Sequence, residues 1–324
     1  MSNIIHFKNI EIEKLQFSSI FGTSKYLKCL GSEFGGINSG NLKLAYYTNS
    51  RFGIKRLTVT ALEIPNEVQA QEYNNELDKI TTYLKNNEKV ACITCPPSFV
   101  VFPFPYKNGV NAEFGTVLKN LEATEEEIFQ DIHGKHRNKI RKGIKENLIV
   151  QKGNHLKDDC YNTIAGTLIR EGVYFETKNE FDELCHSLGE NVEFFVVKRG
   201  NDIQGAAVIP YNESCAFYIW GGSVQKPATG AMNFMHWEIM KAFKSLNVKN
   251  YDFVGIRLKP KKNTKLEGLK SFKVRFGGEV KEGFLWKANL KPLHCFIFKL
   301  LYILKNKALP SDIIESENKN TFDA

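Results

Sequence analysis

Val192-Glu193-Phe194-Phe195-Val196-Val197-Lys198-Arg199 runs into Gly200-Asn201-Asp202 and then Ile203-Gln204-Gly205-Ala206-Ala207-Val208-Ile209-Pro210-Tyr211. Two apolar, β-branched runs separated by a Gly-Asn-Asp turn read as a β-hairpin. Working outward, Ser214–Gly221 reads as a third strand. A long helix follows from about Gly230 to Leu246, then a fourth strand, Asn250–Val254. Hairpin, strand, helix and strand make a mixed α/β sheet unit. On the N-terminal side of the hairpin the pattern predicts helices over Lys157–Glu171 and Glu180–Leu188, and a strand at Leu148–Gln151. On the C-terminal side it predicts a helix over Lys265–Phe276 and a strand over Glu279–Trp286.

The first half repeats this order more faintly. Strand-like runs at Asn41–Thr48 and Ile54–Leu62 precede a helix over Glu67–Lys85, a strand at Lys89–Thr94 and another around Phe114–Leu121. Between the halves, Thr124-Glu125-Glu126-Glu127 has the form of a capping box. The helix it opens is expected to run unbroken to Asn147, with Ile128, Ile132, His136, Ile140 and Ile144 as its apolar stripe. The expected division is therefore a first domain over 1–122, a basic connecting helix over 123–147, a second domain over 148–290, and a C-terminal helix with a polar, frayed tail over 291–324. Leu293–Leu304 is apolar but far short of the ~20 residues that span a bilayer. It reads either as core against the first domain or as an amphipathic helix on the inner membrane face, with Lys305 and Lys307 at its end.

A formal charge of +8 favours anionic partners such as phosphates, tRNA or an acidic membrane surface. Seven cysteines, an odd number spread through apolar segments, and an N-terminus without a signal-peptide pattern point to reduced thiols in the cytoplasm. Cys92 and Cys95 have metal-like spacing but no second pair to complete a site, so no metal is expected. Two cationic clusters are candidate anion sites. One lies on the connecting helix, with Arg137, Lys139 and Arg141 either binding phosphate or forming a solvated face. The other, from Arg257 to Arg275, begins just after a strand's carboxyl end, where ligands bind in open α/β sheets. No Ser-His-Asp order, Walker loop or Rossmann fingerprint occurs. That pattern fits direct acyl transfer, in which the protein positions an amine and stabilises an oxyanion.

Three strings occur in order: His136-Arg137-Asn138-Lys139-Ile140-Arg141-Lys142-Gly143, Tyr251-Asp252-Phe253-Val254-Gly255 and Phe272-Lys273-Val274-Arg275-Phe276-Gly277-Gly278. Together they resemble the FemABX family of peptidoglycan interpeptide-bridge aminoacyltransferases, most strongly in the second half. The resemblance implies two tandem GNAT-like acyltransferase domains of mixed α/β sheets, no metal and no obligatory coenzyme A. It implies transfer of an amino acid from aminoacyl-tRNA to an amine of a lipid- or nucleotide-linked muropeptide. By that resemblance Lys273 stabilises developing negative charge or holds the tRNA 3′ end. Arg170, with Tyr174 nearby, grips the acceptor's diphosphate, and Tyr218, Trp220 and Phe272 line the acyl channel. Arg137, Lys139, Arg141, Arg257 and Arg275 are the anion-binding candidates. Two other readings remain open. One is an acetyl- or acyl-CoA-dependent N-acyltransferase acting on an amino sugar of an envelope polysaccharide, although Gln225-Lys226-Pro227-Ala228-Thr229-Gly230-Ala231 has the wrong spacing for a coenzyme A loop. The other is a non-catalytic phosphate- or membrane-binding module.

Overall fold

A computed structural model describes residues 4–307, 310 and 312–322, with the side chains of 320–322 excepted. The chain opens with β1 (Ile5–Lys8), a short helical turn α1 (Ser24–Leu27) and the meander β2 (Glu33–Ser39), β3 (Leu42–Arg51) and β4 (Ile54–Glu63). Helix α2 (Ala70–Asn86) buries Tyr73, Leu77, Ile80 and Leu84, whose three- and four-residue spacing keeps them on one face. Then come β5 (Cys92–Ile93), β6 (Val110–Asn120), α3 (Glu125–Asp131), α4 (Gly134–Lys145) and β7 (Leu148–Lys152). Helices α5 (Lys157–Arg170) and α6 (Lys178–Leu188) lead into the hairpin β8 (Val192–Arg199) and β9 (Asp202–Pro210), followed by β10 (Cys215–Phe217) and β11 (Trp220–Ser223). The rest is α7 (Ala231–Ser245), β12 (Asn250–Asp252), α8 (Lys265–Val274), β13 (Glu279–Asn289), α9 (Pro292–Asn306) and α10 (Ile313–Phe322).

The chain forms two compact units, and they do not follow the sequential bounds expected. The first comprises Met1–Gly115, Gly255–Lys262 and Glu282–Ala324; the second comprises Thr116–Val254 and Asn263–Lys281. Each takes strand residues from the other half of the sequence. Thr116–Asn120 of β6 belongs to the second unit, and Glu282–Asn289 of β13 belongs to the first.

In the first unit the antiparallel meander β1-β2-β3-β4 is extended by β5, which pairs parallel to β4 through the crossover α2, and then by β13, antiparallel to β5. Trp286 of β13 is fully buried, stacked on Phe102 at 4.7 Å and donating its indole N–H to the Tyr73 hydroxyl at 3.0 Å. In the second unit β7-β8-β9-β11 form an antiparallel sheet with the hairpin at its centre, as expected. Beside it β10 pairs parallel to β12, which pairs antiparallel to β6, with α7 as the crossover. Meander, crossover helix, parallel strand and final antiparallel strand thus occur in both units, so the repeated order in the sequence is a repeated structure.

Three expectations are corrected. The basic helix is two helices, because Ile132 and His133 are extended (ψ 130° and 138°) and the His133 side chain caps the second by accepting from the Lys135 N–H. Of the expected stripe Ile128, Ile132, His136 and Ile140 are buried, but a four-residue step drifts about 40° per step around a 3.6-residue helix, and Ile144 is 55% exposed. The expected strand Ser214–Gly221 breaks at Tyr218-Ile219 into β10 and β11. The tail is not frayed over its described part. Ile314 of α10 is fully buried against Ala112, Phe114 and Leu285, and Lys287 pairs with Asp312 and Glu315 at 2.6 and 2.9 Å.

Candidate active site

The break in the third strand opens the second unit's sheet. Through Phe217, β10 lies in register with β12 (Cys215 with Asn250, Phe217 with Asp252). One further bond joins them, from the Tyr218 N–H to the Asp252 carbonyl at 2.9 Å. Ile219 then bonds back to Phe217, and β11 turns to β9, with Trp220 opposite Val208. Beyond Asp252, the chain leaving β12 has no strand partner on this side among the described residues. The opening lies at the carboxyl ends of the parallel pair, the place where open α/β sheets receive ligands.

Three side chains set the backbone at that opening. Val254, a β-branched residue, has φ +49°, a conformation such residues rarely adopt. Its N–H donates to Asp252 Oδ1 at 2.7 Å, and its carbonyl accepts from Lys273 Nζ at 3.0 Å. The Thr116 hydroxyl donates to the same Asp252 oxygen. Asp252 and Lys273 are 7% and 5% exposed. Burial pushes the Lys273 ammonium down to about 8, partly opposed by Asp252. Burial pushes the Asp252 carboxyl up to about 6, opposed by Thr116, the Val254 N–H and Lys273. Between those values both groups carry charge.

Around this pair the surroundings are aromatic and uncharged. His236 of α7 is fully buried, with Nδ1 3.0 Å from the Tyr251 hydroxyl and Nε2 without a hydrogen-bond partner among the described residues. Burial, with Lys273 adding to it, pushes His236 down to about 3, so its ring is neutral at pH 7. His136 is also neutral, pushed down to about 4 chiefly by burial. Its Nε2 lies 3.0 Å from the Phe272 carbonyl, and a carbonyl only accepts, so that nitrogen carries the hydrogen. The Tyr218 ring stands edge-on to His236 at 4.5 Å, and burial pushes its phenol up to about 12. A Cβ at Gly221 would fall 1.8 Å from the Tyr218 hydroxyl, so the glycine makes room for the ring. Phe272 meets both His136 and His236, and Phe276 stacks on Phe253.

The three strings singled out in the sequence therefore meet at one place. His136 reaches Phe272, Lys273 reaches Val254, and the Phe276-Gly277-Gly278 turn holds the α3–α4 break. There the Asp131 carboxylate accepts from the Gly278 N–H at 3.2 Å and from buried Lys119, while the His133 N–H donates to the Arg275 carbonyl at 2.9 Å. With its pKa lowered to about 8, Lys273 is mostly an ammonium at pH 7, a single positive charge in an aromatic, desolvated setting. What it offers is a positive charge held ready for negative charge developing on an oxygen.

The remaining candidates are placed differently. Trp220 does not join Tyr218; it packs edge-on against Phe175 and Phe181, beneath α6. Arg170, at the end of α5, donates to the Ser223 carbonyl at 2.6 Å and to Thr167 Oγ1 at 3.2 Å, fastening the end of β11 to the helix. Tyr174 is 77% exposed and donates to Glu180 at 3.3 Å. Arg137 donates to the Gln130 carbonyl and side chain at 2.5 and 2.9 Å, bracing basic α4 against acidic α3, and Arg141 lies over the Phe129 ring. Lys139 is exposed. Arg257 is committed within the first unit, to Glu317 at 2.5 Å and to the Ile313 carbonyl at 3.1 Å. The Arg275 side chain lies within electrostatic range of His136.

The amino end of α7 is closed by the chain itself. The Ala231 N–H is bonded to the Ala228 carbonyl, and the Ala228 N–H to the Gln204 side chain. Gly230 has φ +88°, and a Cβ there would lie 2.3 Å from the Lys139 carbonyl. Sequence reasoning missed His236, Thr116 and the role of Asp252. The one available signal was a polar Asn233–His236 pair on the apolar face of α7.

No protein family and no curated protein matches the chain by sequence. Solved structures do match by fold. The C-terminal (DUF2156) domain assigned to a lysylphosphatidylglycerol synthetase of Agrobacterium fabrum matches at TM-score 0.50 and 11% identity, covering 82% of this chain and 86% of that one. The crystal structure of FemX matches at TM-score 0.67 and 16% identity, covering 91% of this chain and 99% of that one. The mixed α/β architecture expected from the sequence, with its strand order repeated in two units, is present, and over 91% of the chain it is the fold of FemX.

Proposed function

We propose that the protein is an acyltransferase that forms an amide bond, moving an aminoacyl group from aminoacyl-tRNA to an amine of a peptidoglycan precursor. The observation that carries the reading is buried Lys273, bonded to the Val254 carbonyl where the sheet opens. The FemX fold along the chain supports it. The acceptor amine attacks the ester carbonyl of the donor, a C–N bond forms, and the C–O bond to the ribose breaks. The amine's proton leaves with the ribose hydroxyl. Lys273 stabilises the oxyanion formed between those events, and Asp252 holds Lys273 and the strained Val254 peptide in place. Tyr218 and Phe272 flank the acyl group, while Arg170 and Tyr174 approach the acceptor's diphosphate. In this reading the enzyme works in the cytoplasm, at the inner face of the membrane that carries a lipid-linked acceptor, and needs no metal or coenzyme.

The bonded amino end of α7 supports this over acyl-CoA transfer to an amino sugar, because the Ala228 and Ala231 N–H groups, which a pyrophosphate would use, already bond the Gln204 side chain and the Ala228 carbonyl. Filter binding and transfer assays with labelled aminoacyl-tRNA and labelled acetyl-CoA distinguish the two. Retention of aminoacyl-tRNA and label transfer to a lysine-containing muropeptide are expected. Binding of acetyl-CoA alone would overturn the assignment.

A further inference from the structure

Helix α9 has two apolar faces, and among the described residues only one is packed. Its inner face seats Phe298, Cys295 and Tyr302 against Ile54, Ala91 and Cys92. Two arginines fix the helix about its own axis: Arg56 lies 4.3 Å over the Phe298 ring, and Arg51 lies 5.2 Å over Tyr302. The opposite face carries Leu293, Phe296, Ile297, Leu300 and Leu304, which are 67%, 65%, 39%, 48% and 69% exposed. At about 100° per residue these five fall within an arc of roughly 100°, centred opposite the packed face. Phe52, at the β3–β4 turn and 38% exposed, lies against Phe298 at 5.9 Å, on the packed side of the helix.

Charge selects the occupant. No Asp or Glu occurs between Glu282 and Asp312, whereas Lys299, Lys305 and Lys307 are exposed along the flanks and end of the helix. A second copy of the same face would bring these lysines together without a carboxylate to answer them. A surface that is apolar within and anionic at its rim meets both features, and that is a bilayer of acidic phospholipid. No helix among the described residues is long and apolar enough to cross a membrane, so α9 lies in the surface.

We infer that the outer face of α9 is a docking surface for anionic membrane, its apolar stripe entering the headgroup boundary and its lysines facing the lipid phosphates. This deepens the reading of a lipid-linked acceptor, yet its test reads partitioning and not turnover, so the two can fail separately.

The test is co-sedimentation of the full chain with vesicles of one-third phosphatidylglycerol in phosphatidylcholine, and of phosphatidylcholine alone, at low and high salt. Binding to the acidic vesicles that weakens with salt is expected, with about tenfold less binding to neutral ones. Phe296→Ser with Leu300→Ser, and separately Lys299→Glu with Lys305→Glu, should each lower partitioning about tenfold while leaving the melting temperature unchanged, since all four side chains are exposed. An intact protein that ignores vesicles overturns the inference. So does equal binding by both variants, or a dimer seen by light scattering that Phe296→Ser with Leu300→Ser dissociates.

Discussion

Replacing Lys273 with Met should make the protein more stable and less active, and the two effects can be measured independently. Met keeps the length and the apolar stem of the side chain and removes its charge. The fall in the Lys273 pKa from 10.5 to about 8 means that the buried ammonium destabilises the fold by about 3 kcal/mol relative to the neutral amine, with the help of Asp252 already counted. Met also leaves the Val254 carbonyl without its donor, a loss of about 1–2 kcal/mol. A net gain of about 1–2 kcal/mol at pH 7 remains, a rise of roughly 2–8 °C in melting temperature for units of this size. The sign with pH is fixed by linkage. A lysine whose folded pKa is lowered binds fewer protons folded than unfolded between about 8 and 10.5, so wild-type stability should climb through that window. The methionine side chain has nothing to titrate, so the advantage of Lys273→Met should shrink as pH rises from 8, reach zero at about pH 9 and reverse by about 10.5, where only the ~1–2 kcal/mol lost with the hydrogen bond remains. Turnover should fall by about 2–4 kcal/mol, the usual loss on removing one oxyanion stabiliser. Thermal melts of both proteins from pH 6 to 10, with single-turnover transfer rates, give both quantities. A variant less stable than wild type at pH 7 would show that the charge serves the fold. An unchanged rate with a raised KM would show that Lys273 binds ground state and transition state alike.

Arg170→Ala removes the bond to the Ser223 carbonyl that fastens β11 to α5. It should raise KM for the acceptor severalfold and leave retention of aminoacyl-tRNA unchanged, as acceptor titrations at fixed donor would show. Gly230→Ala places a methyl 2.3 Å from the Lys139 carbonyl at a φ of +88°. It should destabilise the second unit by at least ~2 kcal/mol, read from a chemical denaturation curve.

Much of the second unit was legible because its elements carry clear periods. The hairpin Val192–Tyr211 alternates around a turn of unmistakable chemistry, and α7 is a long amphipathic run bounded by Gly230. What periodicity could not reveal were the places where the backbone departs from its element. Tyr218 and Ile219 look like strand residues, yet the chain changes partners there, and nothing local marks a change of partner. Ile132 and His133 look helical, but their extended backbone is set by contacts with Arg275 and Gly278, more than a hundred residues away. Strand β2 was hidden because Gly35-Gly36 resembles a turn. The resemblance drew attention to Lys273, but its electrostatics depend on Thr116, Asp252 and His236, whose proximity only the fold creates. Arg257 illustrates the converse: a cation well placed in the sequence for anion binding is taken up by Glu317 in space.

The assignment of β13 to the first unit has a consequence for how the chain folds as it is made. Synthesis runs from the N-terminus, yet the first unit lacks its final strand, and the Trp286 side chain that stacks on Phe102, until residues beyond Glu282 have emerged. The second unit is complete once Lys281 is free. The unit that begins the chain is therefore the later one to close, and until then its β5 edge is open to wrong partners. Contacts between residues near 90 and residues near 290 are among the slowest kind to form, because the loop they close is so long. Vectorial synthesis gives the amino-terminal half a waiting period, during which its nascent sheet depends on chaperones or on the shortness of β5 to stay soluble.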